Sequence, residues 1–212
     1  MKKFLIAGLG NAGIDYDGTR HNIGFDVADA LAAALSSPLP GTPAPKVGGV
    51  DASTPNIAGA RLFSIDKLAY IHETKLKGKQ VIIIKPTTYM NLSGKAVNYW
   101  MQAENISIEN VLIVTDDLAI PFGTLRLKKK GGDGGHNGLS DIIATLGTEN
   151  FARLRFGIGN NFSRGSQVNF VLSKWNDEEQ KALPERIGKT VDLIKGFITA
   201  GVDRAMSDFN GK

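Results

Sequence analysis

His21 is one of three histidines in a chain of 212 residues. It closes a glycine-rich stretch running from Gly8 to Asn22 that also carries Asn11 and Arg20. An imidazole with an unperturbed pKa of about 6.5 suits a general base at neutral pH. A histidine alone is more often structural or merely exposed, so the reading needs a second group. Asp116 supplies one, because it stands where the apolar run Val111–Val114 gives way to Thr115-Asp116-Asp117. A carboxylate there can fix the imidazole's tautomer and stabilise the imidazolium. Asp117 is an alternative partner, but neighbours on an extended strand point to opposite faces. Read blandly, Asp116 is a turn former or a helix cap.

No nucleophile accompanies this pair. The chain has no cysteine, which also excludes disulfides and thiolate-ligated zinc. It has no Gly-x-Ser-x-Gly elbow, and Ser93 in Asn91-Leu92-Ser93-Gly94 reads as a helix start. His21, His72 and His136 lack the spacing of a metal-binding motif. The simplest remaining chemistry is hydrolysis by directly activated water, with no metal and no cofactor.

Asn11, Asn91 and Asn137 each end a strand or open a helix, where asparagine is commonly a cap. Three of them at one sheet edge would instead aim amides at a carbonyl. A donor placed at a developing oxyanion contributes roughly 3–4 kcal/mol to the barrier. His136 and Asn137 open a helix, whose free N–H groups also favour negative charge.

Gly8-Leu9-Gly10-Asn11-Ala12-Gly13 matches the dinucleotide-binding pattern. Its context argues otherwise, since that fingerprint opens a helix within the glycines. Here Asp15, Asp17 and Gly18 follow, which favour turns. A second glycine-rich loop, Gly131 to Gly138, lies beside Lys128, Lys129 and Lys130. With Arg155 and Arg164 this run could hold a phosphate, although a charge run is usually only a solvated face.

These groups require elements to place them. Lys3–Ala7 reads as a buried central strand, and Ile23, Val27, Leu31 and Ala34 give a helix to about Leu35. Residues 37–60, rich in proline and glycine, read as a surface insertion. Leu68–Lys75 and Gln80–Lys85 read as strands joined by a turn at Lys77-Gly78-Lys79, and a helix follows Gly94 to about Glu104. Val111–Val114, Thr124–Lys128, Arg153–Gly159 and the short Val168–Leu172 read as further strands. A helix from Leu139 to Leu146 ends at Gly147. Asn176 and Glu179 form a capping box at the start of the C-terminal helices, residues 177–210, where Pro184 should kink or restart the helix.

This alternation predicts an α/β layered domain, with helices covering a largely parallel sheet. In such sheets ligands lie outside the carboxyl ends of the strands. The loops at residues 10–22, 86–93, 115–118 and 131–138 should converge there. The net charge of +4 permits an anionic partner. The N-terminal apolar run is too short for a signal peptide, and no stretch reaches the roughly 18 apolar residues of a membrane span. A cytoplasmic protein is expected.

The segments GLGNAGIDYDGTRHNIGFDV (8–27), KPTTYMNLSGKAV (85–97), DDLAIPFG (116–123), LKKKGGDGGHNGLSDII (127–143) and FARLRFGIG (151–159) together resemble the bacterial peptidyl-tRNA hydrolase family. The resemblance implies a single α/β domain over residues 1–212, with a mixed, mostly parallel sheet flanked by helices on both faces, that hydrolyses the ester between a peptide and the 3′-terminal ribose of tRNA. It implies His21 as the base, Asp116 as its orienting partner and Asn11 beside them. Asn91, His136 and Asn137 would bind substrate, and Tyr16, Tyr89 and Met90 would line the groove for the peptide and the terminal nucleotide. Lys128 and Arg155 would hold a tRNA phosphate. The partner would be peptidyl-tRNA and the enzyme a monomer. Residues 37–60 depart from the family's usual length, and Lys181, Arg186 and Lys189 match it only in pattern.

Overall fold

The apolar runs form the middle of one seven-stranded sheet in the computed structural model, which describes residues 1–36 and 62–210. In chain order the regular elements are β1 (Lys3–Gly8), α1 (Ile23–Ser36), β2 (Ser64–Asp66), β3 (Ala69–Leu76), β4 (Lys79–Pro86), α2 (Ser93–Ala103), β5 (Val111–Asp117), β6 (Leu125–Lys128), α3 (Asn137–Leu146), β7 (Ala152–Gly157), α4 (Gln167–Val171), α5 (Asp177–Ala200) and α6 (Val202–Phe209). The expected insertion at 37–60 lies outside the described residues.

The strand order is β2-β3-β4-β1-β5-β7-β6. β4, β1, β5 and β7 run parallel, and the edges β2, β3 and β6 are antiparallel. The sheet is therefore mixed, as the family resemblance implies, with its parallel part at the centre. β3 and β4 close through Lys77 and Gly78, both at positive φ (46° and 76°), a turn whose twist matches the hairpin.

Successive strand residues face opposite sides of a sheet, so an all-apolar strand must be covered twice. Phe4, Ile6, Val81, Ile83 and Val114 pack on one face with Val27 and Leu31 of α1 and Ile194 and Phe197 of α5. Leu5, Ala7, Ile82, Ile84 and Ile113 pack on the other with Val97 and Trp100 of α2 and Leu139 and Ile142 of α3. Burying a side chain of this kind contributes about 1.5–3 kcal/mol, which is why both layers hold so firmly to the sheet.

Two expectations need correction. Val168–Leu172 is not a strand but most of α4 and its C-cap, with Phe170 N–H bonded to Ser166 O at 3.0 Å and Leu172 N–H to Val168 O at 3.1 Å. A strand needs a free ladder. The outer edge of β6 is closed instead by Asn210, which accepts from Leu127 N–H (2.8 Å) and donates to Leu127 O (2.9 Å). Pro184 does not divide the C-terminal region, because α5 runs unbroken through it. Pro184 and Gln180 are both exposed, so the carbonyl that the missing N–H leaves unbonded sits on a hydrated face. The capping box is present, Asn176 Oδ1 accepting from Glu179 N–H and Glu179 Oε2 from Asn176 N–H, each at 2.9 Å. No helix among the described residues is long and apolar enough to cross a membrane.

Candidate active site

The strand ends of β1, β4 and β5 open into one cleft of about 640 Å³. The four polar loops do converge there. Asn11, His21, Asn91, Asp116, His136 and Asn137 all line it.

The first loop is shaped by packing. A Cβ on Gly8 would lie 2.0 Å from the backbone O of Gly24, and one on Gly24 would lie 2.4 Å from Leu9 N. The glycines thus let α1 press on β1 at backbone distance, which a phosphate cradle would not require. Asn22, buried, then holds the loop closed. Asn11 N–H donates to Asn22 Oδ1 at 2.8 Å, and Asn22 Nδ2 donates to Asn11 O at 3.0 Å. Asn11 Oδ1 accepts from Met90 N–H at 2.8 Å. With its carbonyl occupied, Asn11 keeps its amide N–H groups for the cleft.

Arg20 anchors the turn that carries His21. Its Nη1 donates to Ser173 Oγ and Lys174 O, both at 2.5 Å, and its Nη2 pairs with Glu179 at 2.6 Å. The guanidinium lies over the rings of Phe170 (4.5 Å) and Trp175 (5.3 Å). The turn carrying His21 is therefore tied to the segment between α4 and α5 and to Glu179 of α5, far along the chain.

Asp116 sits between two imidazoles. His21 Nδ1 lies 2.9 and 3.0 Å from its two oxygens, and His136 Nε2 lies 3.0 Å from Oδ1. His136 is also the N-cap of α3, its Nδ1 accepting from Gly138 N–H (3.1 Å) and Leu139 N–H (3.3 Å). An Nδ1 that accepts carries no proton, so the proton of neutral His136 is on Nε2, which faces Thr115 Oγ1 at 2.6 Å and Asp116 Oδ1 at 3.0 Å. By the same logic His21 donates from Nδ1, leaving Nε2 with a lone pair. Burial alone would raise the Asp116 carboxyl, but His136, and after it His21, outweigh burial and hold it well below the usual carboxylate range. Asp116, not Asp117, is thus the partner of His21. Asp117 accepts from Ala119 N–H at 2.8 Å and meets Arg155 Nε at 2.5 Å.

The donor atoms of His21, Asp116 and His136 lie within 4.8 Å of one another, close enough to gather around a metal ion. The tautomer of His136 works against that use, since an Nε2 that carries a proton cannot ligate.

Tyr89 and Met90 line the cleft, Tyr89 exposed and Met90 buried. Arg155 lines it too, already paired with Asp117. Two expected residues are not among its walls. Tyr16 is half-buried in the turn Ile14–Tyr16, and Lys128 is exposed at the end of β6. The sequence reading missed the apolar wall, formed by Leu118, Phe162, Val168, Val171 and Leu172. Its signal was the apolar run misread as a strand. It also missed His136 as a partner of Asp116, for which no local signal exists.

The peptidyl-tRNA hydrolase family model matches residues 5–212. A peptidyl-tRNA hydrolase of Phocaeicola vulgatus is 51% identical over 210 residues, covering 99% of this chain and all of that protein. One from Bacteroides fragilis is 50% identical at the same coverage. The crystal structure of the peptidyl-tRNA hydrolase from Acinetobacter baumannii superposes with a TM-score of 0.79 at 32% identity, covering 98% of this chain and 94% of that one. By the family match over nearly its whole length, and by relatives about half identical to it, the chain belongs to the peptidyl-tRNA hydrolase family of enzymes.

Proposed function

We propose that this protein hydrolyses the ester between peptide and tRNA in peptidyl-tRNA, using water activated by His21 and no metal. The observation that carries the reading is the two-sided contact of His21 Nδ1 with Asp116. It leaves Nε2 as the basic atom facing the cleft. Water loses a proton to His21 Nε2 as its oxygen bonds to the ester carbonyl carbon. Asp116 stays ionised and stabilises the imidazolium. The tetrahedral intermediate collapses, the bond to the ribose oxygen breaks, and His21 returns the proton to that oxygen. The products are free tRNA and a peptide carboxylic acid, which ionises.

Asn11, with its carbonyl side already bonded, offers N–H groups to the developing oxyanion. Asn91 and Asn137, exposed on the cleft lips, bind the peptide's amides, and Tyr89 and Met90 pack beside them. His136 serves substrate binding indirectly, through Asp116 and the start of α3. Arg155 and the more distant Lys128 meet the tRNA phosphates. Tyr16 would reach substrate only outside the cleft. We place the enzyme in the cytoplasm as a monomer.

The test is release of free tRNA from an N-blocked aminoacyl-tRNA, with and without chelator. Release in both arms is expected. No release would overturn the activity, and chelator-sensitive release would replace the metal-free step with one at the His21–Asp116–His136 cluster. A positioned general base contributes about 10²- to 10⁴-fold, so His21→Ala should lose that much turnover and keep its tRNA affinity. Lost affinity with turnover retained would remove His21 as the base.

A further inference from the structure

The N-terminus of α2 has no cap of its own. Leu92 precedes it and makes no side-chain bond to it. The bond comes from another helix: Asp141 Oδ2, in the second turn of α3, accepts from Gly94 N–H at 2.7 Å. Asp141 has no ion-pair partner among the described residues. A carboxylate at this end of a helix opposes the positive end of the backbone dipole, and a charged acceptor makes the stronger bond.

The helices meet without slack at this point. A Cβ on Gly94 would lie 2.4 Å from Thr145 Oγ1 and 2.7 Å from the backbone O of Asp141. Gly94 is required by this approach, and the approach fixes how far α2 stands from α3. Both helices begin at the cleft. Asn91 precedes Gly94 by three residues, and its turn is tied to α2 by Ser93 Oγ donating to Met90 O at 2.8 Å. Asn137, the first residue of α3, precedes Asp141 by one helical turn.

The same link completes a circuit around the cleft. Asn11 bonds Met90, Gly94 bonds Asp141, and His136 at the head of α3 bonds Asp116, which bonds His21. Every joint but one lies at the cleft itself. The exception is Gly94–Asp141, behind the two asparagines.

We propose that Asp141 is a positioning residue that sets the spacing between Asn91 and Asn137, and thereby the fit of the substrate's peptide amides. This rests on the reading of those asparagines as substrate contacts. An extended peptide presents donors and acceptors at fixed intervals, so two amides at fixed separation act as a gauge for it. The tRNA phosphates, met elsewhere, do not sense that separation.

The experiment compares Asp141→Ala, Asp141→Asn and Asp141→Glu, each alone and with Asn91→Ala, on an N-blocked peptidyl-tRNA, with deacylated tRNA as competitive inhibitor. A misplacement of about 1 Å can cost up to about 100-fold in rate. Asp141→Ala should therefore lower kcat/KM by about five- to fifty-fold, leaving tRNA inhibition unchanged. Asp141→Asn keeps an acceptor oxygen and should restore most of the loss. Asp141→Glu keeps the charge but lengthens the link, and should lower kcat/KM even where Asp141→Ala fails to fold. On an Asn91→Ala background, Asp141→Ala should add less than about two-fold, because residues acting through one another are not additive. Full additivity, or equal loss in tRNA inhibition, would overturn the proposal. Unchanged kcat/KM in Asn91→Ala and Asn137→Ala themselves would instead overturn the reading of the asparagines.

Discussion

Asp116 at the cleft and Asp26 on α1 both line cavities, Asp116 buried and Asp26 half-buried, yet their surroundings push them in opposite directions. Asp116 has an imidazole on each side and is held ionised. Asp26 faces a second cavity of about 860 Å³ between α1 and α5, shared with Asp17 and Asp29. There burial, then Asp29 and Asp17, raise the carboxyl to about 7, and Lys85 opposes this only in part. Lys85 is engaged by Asp29 at 2.5 Å. Depth removes water from both acids, and only the partner decides whether the charge survives.

The largest effect expected is at the cleft. Asp116→Asn keeps the size of the side chain but removes the charge that stabilises the imidazolium and disturbs the tautomer of His21. Turnover should fall on the order of 10³- to 10⁴-fold, measured as single-turnover ester cleavage. A loss below about ten-fold would make Asp116 a bystander. Its lowered pKa also has a stability consequence. Stability from this group is fully present above the unfolded value near 4 and is lost as pH falls through the folded one. Acid unfolding of Asp116→Asn should lack that component.

Asp26→Asn should act with the opposite sign. A raised folded pKa means that the wild type is relatively favoured below about pH 4 and loses that advantage as pH rises through about 7. The variant should match the wild type near pH 4, gain on it between pH 4 and 7, and exceed it at pH 8 by up to about 4 kcal/mol. Urea midpoints across this range would show it, and a gain that does not depend on pH would place the effect in packing instead.

Lys85→Met sharpens the contrast by removing the cation that pairs with Asp29 and lowers Asp26. Breaking a charged hydrogen bond costs about 1.5–3 kcal/mol. The midpoint of the Asp26 transition, followed by carboxyl NMR, should move upward. An unmoved midpoint would remove Lys85 from the causes and leave burial with Asp29 and Asp17. The smallest effect is at the exposed edge of β6. Lys128→Ala should weaken tRNA binding by a few-fold and reduce the salt slope by about one, with chemistry near normal. An unchanged slope would remove Lys128 from phosphate contact.

Much of this was legible in the residues. Val81-Ile82-Ile83-Ile84 and Val111–Val114 are apolar at every position, which only a strand covered on both faces explains, and they lie at the sheet's centre. Gly147 ends α3 at φ 67°, as its sequence position suggests. The failures share a cause. Val168–Leu172 has the composition of a strand, but its backbone N–H groups bond within the segment, and it folds as the helix that walls the cleft. Pro184 carries a local penalty that the hydrated face of α5 absorbs. Tyr16 lies close in sequence to His21, yet the turn at Ile14–Tyr16 leaves it outside the cleft lining.

What the sequence determined by itself is most of the elements and the side chains placed at their ends: an imidazole, a carboxylate, three amides and basic residues, with no thiol. Those follow from local periodicity and residue type. The tertiary structure alone decided which of two adjacent aspartates meets His21, that His136 joins from the far side, and which of its nitrogens carries the proton. His21 and Asp116 stand 95 positions apart in the chain. The parallel pairing of β1 with β5 brings them together, and the bonds at the head of α3 set the tautomer. Partner choice depends on distances of a few ångströms between segments remote in sequence, and no local pattern encodes those.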